Sequence, residues 1–168
     1  MGKYFGTDGV RGRANEGLTL EMSIKIGQYL GWYYGKEKHA KILIGKDTRL
    51  SGDMFELGLA AGATSMGAQV YLLGVCPTPA ISYLVRKERF DCGIMVSASH
   101  NPYYDNGIKC FNHNGEKMEE DPGSFHLAGK GSGDRRRGPC HDPDPAGYRS
   151  GASILYCSGY RSFNPFLD

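Results

Sequence analysis

Over its first 120 residues the chain alternates short apolar runs with segments of helical period, and few folds accommodate that alternation. Thr19 reads as the N-cap of a helix reaching Tyr34, with Met22, Ile26, Tyr29, Leu30 and Tyr33 on one face. Ile42-Leu43-Ile44 reads as a short buried strand. A second helix over 53–66 carries Leu57, Ala60, Ala61 and Thr64, small enough for close packing on a sheet, and Gly67 suits its end. Val70–Leu73 reads as the next strand, and Thr78-Pro79 as the cap and opening of a helix to Arg86. Gly93–Ala98 is a strand apolar on both faces, as a doubly covered parallel strand is. Ile108–Phe111 follows as a strand, with Asn114-Gly115 as a turn. The pattern predicts a three-layer α/β/α domain on a mixed, mostly parallel sheet.

Near residue 120 the composition changes. The first 120 residues hold 22 Ile, Leu and Val, and the last 48 hold four. Lys outnumbers Arg nine to five before the boundary, and Arg outnumbers Lys five to one after it. Gly and Pro make up 13 of the last 48 residues. So few branched apolar side chains hardly offset the entropy of ordering. The division is therefore a domain over 1–120 and an irregular Gly/Pro/Arg-rich tail over 121–168, disordered or loosely attached.

Twenty basic and 18 acidic residues leave a net charge of +2, too little for a field that gathers nucleic acid or an anionic membrane. No apolar run approaches the ~20 residues of a membrane-spanning helix. The N-terminus turns to Gly and charge too soon for a signal peptide. Five cysteines, odd in number and with no C-x-x-C pair, fit a reduced, cytoplasmic protein better than a disulfide framework or zinc site.

In such sheets the chemistry lies beyond the carboxyl ends of the strands. Three polar loops fall there: Gly6–Gly12, Gly45–Arg49 and Ser97–Pro102, with Asp105–Lys109 returning past the third. Together they offer a hydroxyl, lysines, arginines, an imidazole and glycine backbone, a set suited to a phosphorylated ligand. Ser99 reads as a hydrolase nucleophile or a phosphoryl carrier. The first is weak, because G-x-S-x-G is absent and His100 directly follows Ser99, where extended backbone points neighbouring side chains apart. The second needs an exposed hydroxyl, cationic partners and a divalent ion, of which the loops supply the first two. Structural readings stand beside these. His100 can bond loop backbone, and Asp8 can hold its own turn. Lys46 and Arg49 can form a solvated ion-pair face with Asp47, and Asp105-Asn106 can make a turn before Gly107.

Tyr4–Gly12 (YFGTDGVRG), Gly45–Arg49 (GKDTR), Pro77–Ala80 (PTPA) and Val96–Lys109 (VSASHNPYYDNGIK) resemble, in order and spacing, the first domain of the α-D-phosphohexomutases. The branch most resembled is the bacterial one acting on glucosamine phosphates. The resemblance covers residues 1–120. It implies an isomerase that moves a phosphoryl group between glucosamine 6-phosphate and glucosamine 1-phosphate through a phosphoserine at Ser99. It also implies a magnesium ion held partly by the Ser99 phosphate. Arg11 and Lys109 match basic positions at that family's reaction centre. Lys109 and His100 are the candidates for proton transfer or electrostatic support, and Arg11 for a clamp, its pKa being too high for a proton shuttle. Asn101, Lys46 and Arg49 are candidates for binding phosphate. A hexose or hexosamine phosphate is the expected partner.

The family's remaining three domains, with the magnesium carboxylates and the sugar-recognition loops, are not found in the sequence. After Glu119-Glu120 a charged helix is expected, yet Asp121-Pro122-Gly123 stops one at once. The switch reads as translation out of frame after residue 120, or a truncated gene model. Realigning the encoding DNA in its other frames tests this. The alternatives carried forward are a phosphoglucomutase or phosphomannomutase fragment, and a non-catalytic phosphate- or partner-binding module.

Overall fold

A computed structural model describes residues 9–118 and the backbone of 153–156. Among the described residues, six strands and three helices follow one another as β1 (Val10–Arg13), α1 (Leu20–Tyr34), β2 (Lys41–Lys46), α2 (Gly52–Ser65), β3 (Gln69–Val75), α3 (Thr78–Lys87), β4 (Cys92–Val96), β5 (Asp105–Asn112) and β6 (Ser153–Tyr156). They form one sheet of order β1-β5-β4-β2-β3-β6. The β4–β2, β2–β3 and β3–β6 pairs are parallel, and β5 runs antiparallel to both β1 and β4.

Period-two alternation along the strands builds both faces. Ile42, Ile44, Val70, Leu72, Ile94, Val96 and Ile108 point into one core with Phe55, Leu59, Ile26 and Leu30 of α2 and α1. Leu43, Met95 and Phe111 point the other way, onto Ile81, Leu84 and Val85 of α3. Gly93 faces α3, where a Cβ would come within 2.5 Å of Val85 and 2.7 Å of Ile81, so glycine lets that helix lie close to the sheet. A bulge at Ile44/Gly45 disturbs the β2–β3 register, with Gly74 at φ 76.

Several elements differ from their sequence reading. The buried residues of α1 are Ser23, Ile26, Gly27, Leu30 and Gly31, while Tyr33 is exposed. In α2, Ala60 and Ala63 are buried in the core with the sheet residues, Leu57 and Ala61 are exposed, and Gly58 and Gly62 face α1. A Cβ on Gly27 would lie 2.2 Å from the Leu59 carbonyl oxygen, and one on Gly62 would lie 2.1 Å from that of Ile24. The helices thus approach backbone to backbone, each through the other's glycine. Thr19 caps α1 as expected, accepting from the Met22 N–H at 3.3 Å. Thr78 does not cap α3; Pro77 occupies that position and Thr78 is the first helical residue.

Val10–Arg13, read as loop, is an edge strand, and Asp105-Asn106, read as a turn, opens β5 against it. VRGR has one apolar residue and no alternation, so nothing but the β5 ladder marks it as a strand. Gly9, at φ 88, would bring a Cβ to 2.1 Å from the Ile108 carbonyl oxygen. The Asn114-Gly115 turn forms, with Gly115 at φ 72 and its carbonyl accepting from Ser82 Oγ at 2.6 Å. Of the tail, Ser153–Tyr156 pairs with β3 from Gln69↔Ser153 to Leu72↔Tyr156, so this stretch is regular. The rest of the tail lies outside the described residues, as do Tyr4–Asp8 of the first motif, Cys140, Cys157, His126 and His141.

Candidate active site

The chain leaves β4 through buried Ser97 and Ala98 and turns at Ser99, whose φ of 54 puts a non-glycine residue in the left-handed region. Such backbone costs about 1–2 kcal/mol and needs support from its surroundings. The Ser99 N–H donates to Ser97 Oγ at 3.0 Å, and the Asn101 N–H to the Ala98 carbonyl at 3.1 Å. This left-handed turn lifts Ser99 and His100 into solvent. It replaces the extended backbone assumed from the sequence. Ser99 Oγ and His100 share no hydrogen bond.

Lys109 stands on β5 opposite Met95 and is buried, 5% exposed. Its Nζ donates to Ser99 Oγ at 2.6 Å. A charge-assisted bond to an otherwise exposed hydroxyl is the central feature of the site. Arg11 lies on β1 opposite Gly107. A Cβ on Gly107 would sit 3.1 Å from Arg11 Cγ and 2.9 Å from the Ser97 carbonyl oxygen, so bare backbone lets the arginine stem reach the base of the loop.

Arg49 was expected to bind phosphate, and the structure employs it otherwise. Its Nε donates to Asp47 Oδ2 at 3.1 Å. One terminal nitrogen donates to the carbonyls of Pro102 and Asp105, at 2.5 and 3.0 Å. The other reaches those of Ser99 and Asn101, both at 2.8 Å. All five guanidinium N–H donors are thereby committed inside the protein. The side chain is 10% exposed, so this is no solvated surface pair. Asn101 is also turned inward, its Nδ2 donating to Asp105 Oδ2 at 3.1 Å.

Lys46 ends β2 and pairs with two carboxylates of α2: Asp53, at 2.6 Å, and Glu56. Asp47 is not its partner. Burial works against the Lys46 charge, but its hydrogen bonds to the Asp53 and Glu56 carboxylates outweigh it and raise its pKa. Burial raises Glu56 in spite of Lys46, and its Oε1 is buried without a hydrogen bond. Sequence reasoning missed Glu56, since a carboxylate on an amphipathic helix ordinarily faces water. It paired Asp47 with Arg49, but as a solvated face rather than a largely buried anchor, and it missed Ser97 as a bond acceptor two residues before Ser99. It also missed Asn106, buried between Ser51 Oγ, at 2.9 Å, and its own neighbour's N–H.

Among the described residues no grouping of three or more His, Cys, Asp or Glu side chains could hold a metal ion. These residues do not by themselves fit a magnesium cage. Ser99 would offer an ion only what a phosphate on its oxygen brings. No described helix is long and apolar enough to cross a membrane.

Known proteins resemble this chain in sequence and in fold. The chain is 64% identical to a phosphoglucosamine mutase of Lachnoclostridium phytofermentans over 121 residues, covering 72% of this chain and 27% of that protein. It is 53% identical to one of Staphylococcus saprophyticus over 124 residues, with 72% and 28% covered. The chain thus spans about a quarter of the length of the curated relatives it matches. Among solved structures, a protein described as a phosphomannomutase of Thermus thermophilus superposes with a TM-score of 0.65 at 31% identity, covering 70% of this chain and 27% of that one. A phosphoglucomutase/phosphomannomutase family protein of Burkholderia thailandensis gives 0.62 at 26%, with the same coverage. The model of the phosphoglucomutase/phosphomannomutase α/β/α domain I matches residues 2–123. With its serine loop, its lysine and most of its length inside that match, the chain belongs to the phosphoglucomutase/phosphomannomutase family.

Proposed function

We propose that the chain is the serine-bearing first domain of a phosphoglucosamine mutase, with Ser99 as the phosphoryl carrier. The observation that carries this reading is the 2.6 Å contact between Lys109 Nζ and an exposed Ser99 Oγ. A phosphoserine brings about −1.5 to −2 charges, and a buried ammonium on its bridging oxygen offsets them.

In the forward step a sugar hydroxyl oxygen bonds to phosphorus while the bond from phosphorus to Ser99 Oγ breaks. The hydroxyl proton leaves to a base, and Lys109 stabilises the negative charge gathering on Oγ. The product is a sugar bisphosphate. Its other phosphoryl group then returns to Ser99 and frees the isomerised monophosphate. His100 stands exposed beside the serine as a proton acceptor, and Arg11 as a fixed positive clamp. When bound, a magnesium ion would add positive charge at the Ser99 phosphate; its carboxylate ligands are not among the described residues.

The glucosamine branch is supported by the names of relatives at 53–64% identity. A hexose-phosphate mutase is the second reading, supported by the structural neighbours. The test is to incubate the chain with magnesium and glucosamine 1,6-bisphosphate or glucose 1,6-bisphosphate, then map phosphate by mass spectrometry. Phosphate on Ser99, absent from Ser99→Ala and taken faster from the amino sugar, is the expected result. A wild-type chain unmodified by either compound would favour a non-catalytic binding module.

A further inference from the structure

We propose that Arg49 is a positioning residue of the Ser99 site, holding the serine's left-handed backbone over Lys109 by gathering the loop's carbonyl groups around one guanidinium. Its importance for phosphoryl transfer rests on the reading of Ser99 given above; its grip on the loop does not.

The loop from Ser97 to Tyr104 is irregular. It is tied to β5 by the Ser97 N–H on the Gly107 carbonyl at 2.8 Å and to the end of β1 by the Ala14 N–H on the Tyr104 carbonyl at 3.1 Å. Between these ties it keeps Ser99 in an unfavourable conformation. Its own hydrogen bonds, from Ser99, Asn101 and Asp105 N–H groups, lie within the loop or at its root. Arg49 ties it to the loop after β2. Four carbonyls, those of Ser99, Asn101, Pro102 and Asp105, converge on its terminal nitrogens at 2.5–3.0 Å. Asp47 fixes the arginine from behind, Oδ1 accepting its backbone N–H at 3.0 Å and Oδ2 its Nε at 3.1 Å. The Asp47 N–H in turn donates to the Val96 carbonyl at 3.1 Å, so the assembly is anchored on the last residue of β4. Lys109 holds the serine's hydroxyl from β5, and one planar cation holds the backbone carbonyls around it. A lysine in place of Arg49 cannot reproduce that hold, because three donors on a point charge do not span four carbonyls and a carboxylate. Once the Ser99 carbonyl is released, its backbone relaxes to negative φ, and Oγ leaves Lys109.

Amide hydrogen exchange on the full 168-residue chain tests this, comparing wild type, Arg49→Lys and Asp47→Asn. In Arg49→Lys the amides of Ser99, Asn101 and Asp105 are expected to exchange about tenfold faster, the effect of losing one net hydrogen bond, while Ile94 and Met95 keep wild-type rates. Asp47→Asn should give the same pattern more weakly. Unchanged loop rates overturn the proposal, and so does a uniform acceleration across β4 and the loop, since Arg49 would then be a general stabiliser. If Arg49→Lys does not fold, Asp47→Asn decides; if neither folds, the residue is a prop for the whole domain and the proposal fails. With glucose 1,6-bisphosphate as probe, Arg49→Lys should lower the maximal rate of Ser99 phosphorylation and leave the half-saturating concentration unchanged. A wild-type chain that takes up no phosphoryl group while the loop-selective exchange appears would sink the functional reading and leave the clamp standing.

Discussion

Lys109 is a lysine in a strand that is otherwise buried, and its single polar atom reaches the one hydroxyl that the neighbouring loop holds up to it. Lys109→Gln keeps the length and a donor but loses the charge, and should slow Ser99 phosphorylation by roughly 10²–10³, the usual loss when a preorganised donor is weakened; phosphate mapping against time measures it. The cysteines are the counter-case. Burial pushes the Cys76 thiol up to about 11 and Cys110 to about 12, and Cys92 rises as well. At neutral pH these three should resist alkylation in the native chain and react freely in denaturant, which intact mass reads directly. The nearness of Ser99, His100 and Lys109 was legible because one motif carries all three, whereas Arg11 comes from a separate motif nearly 90 residues earlier. The work of Arg49 and Lys46 was not legible. Arg49 binds carbonyls some 50 residues away, and the partners of Lys46 sit on a helix face that periodicity alone does not orient.

At the scale of elements, the helices and inner strands followed from hydrophobic period, because long apolar patterns report burial directly. The edge strand β1 did not, since its ladder partner comes nearly 100 residues later. Nor did the backbone-to-backbone contact of α1 and α2, for small residues in a helix do not say which neighbour they admit. Gly27→Ala and Gly62→Ala should each destabilise the domain by about 1–3 kcal/mol through overpacking, seen as a lower denaturant midpoint. The α2 carboxylate adds a pH dependence. Glu56 has its pKa raised in the folded chain, so the stability linked to its protonation is full below its ordinary value of 4.5 and is lost as pH rises through the folded value. Glu56→Gln should flatten that loss, in denaturant titrations run below pH 4.5 and at neutrality.

Among the described residues, the sheet is bounded on one side by β1 and on the other by β6, a strand from a region whose composition predicted irregularity. Ile154 and Leu155, two of that region's four branched apolar residues, lie in it. A chain ending at Met118 should therefore expose the β3 edge and associate more readily than the full chain, as light scattering would record. The family match ends at residue 123, and the relatives are several times longer. The described residues leave Ser99 and His100 exposed, so by themselves they do not shield the serine oxygen from water. In a coupled assay for glucosamine 1-phosphate, the purified chain should show negligible net turnover even where Ser99 accepts a phosphoryl group. The outward-facing turn at Ser99 has one more effect. An ester formed there stands in open solvent, so in a cell extract its lifetime is governed by whatever phosphatases circulate, and the chain would be recovered bare unless they are inhibited from the moment of lysis.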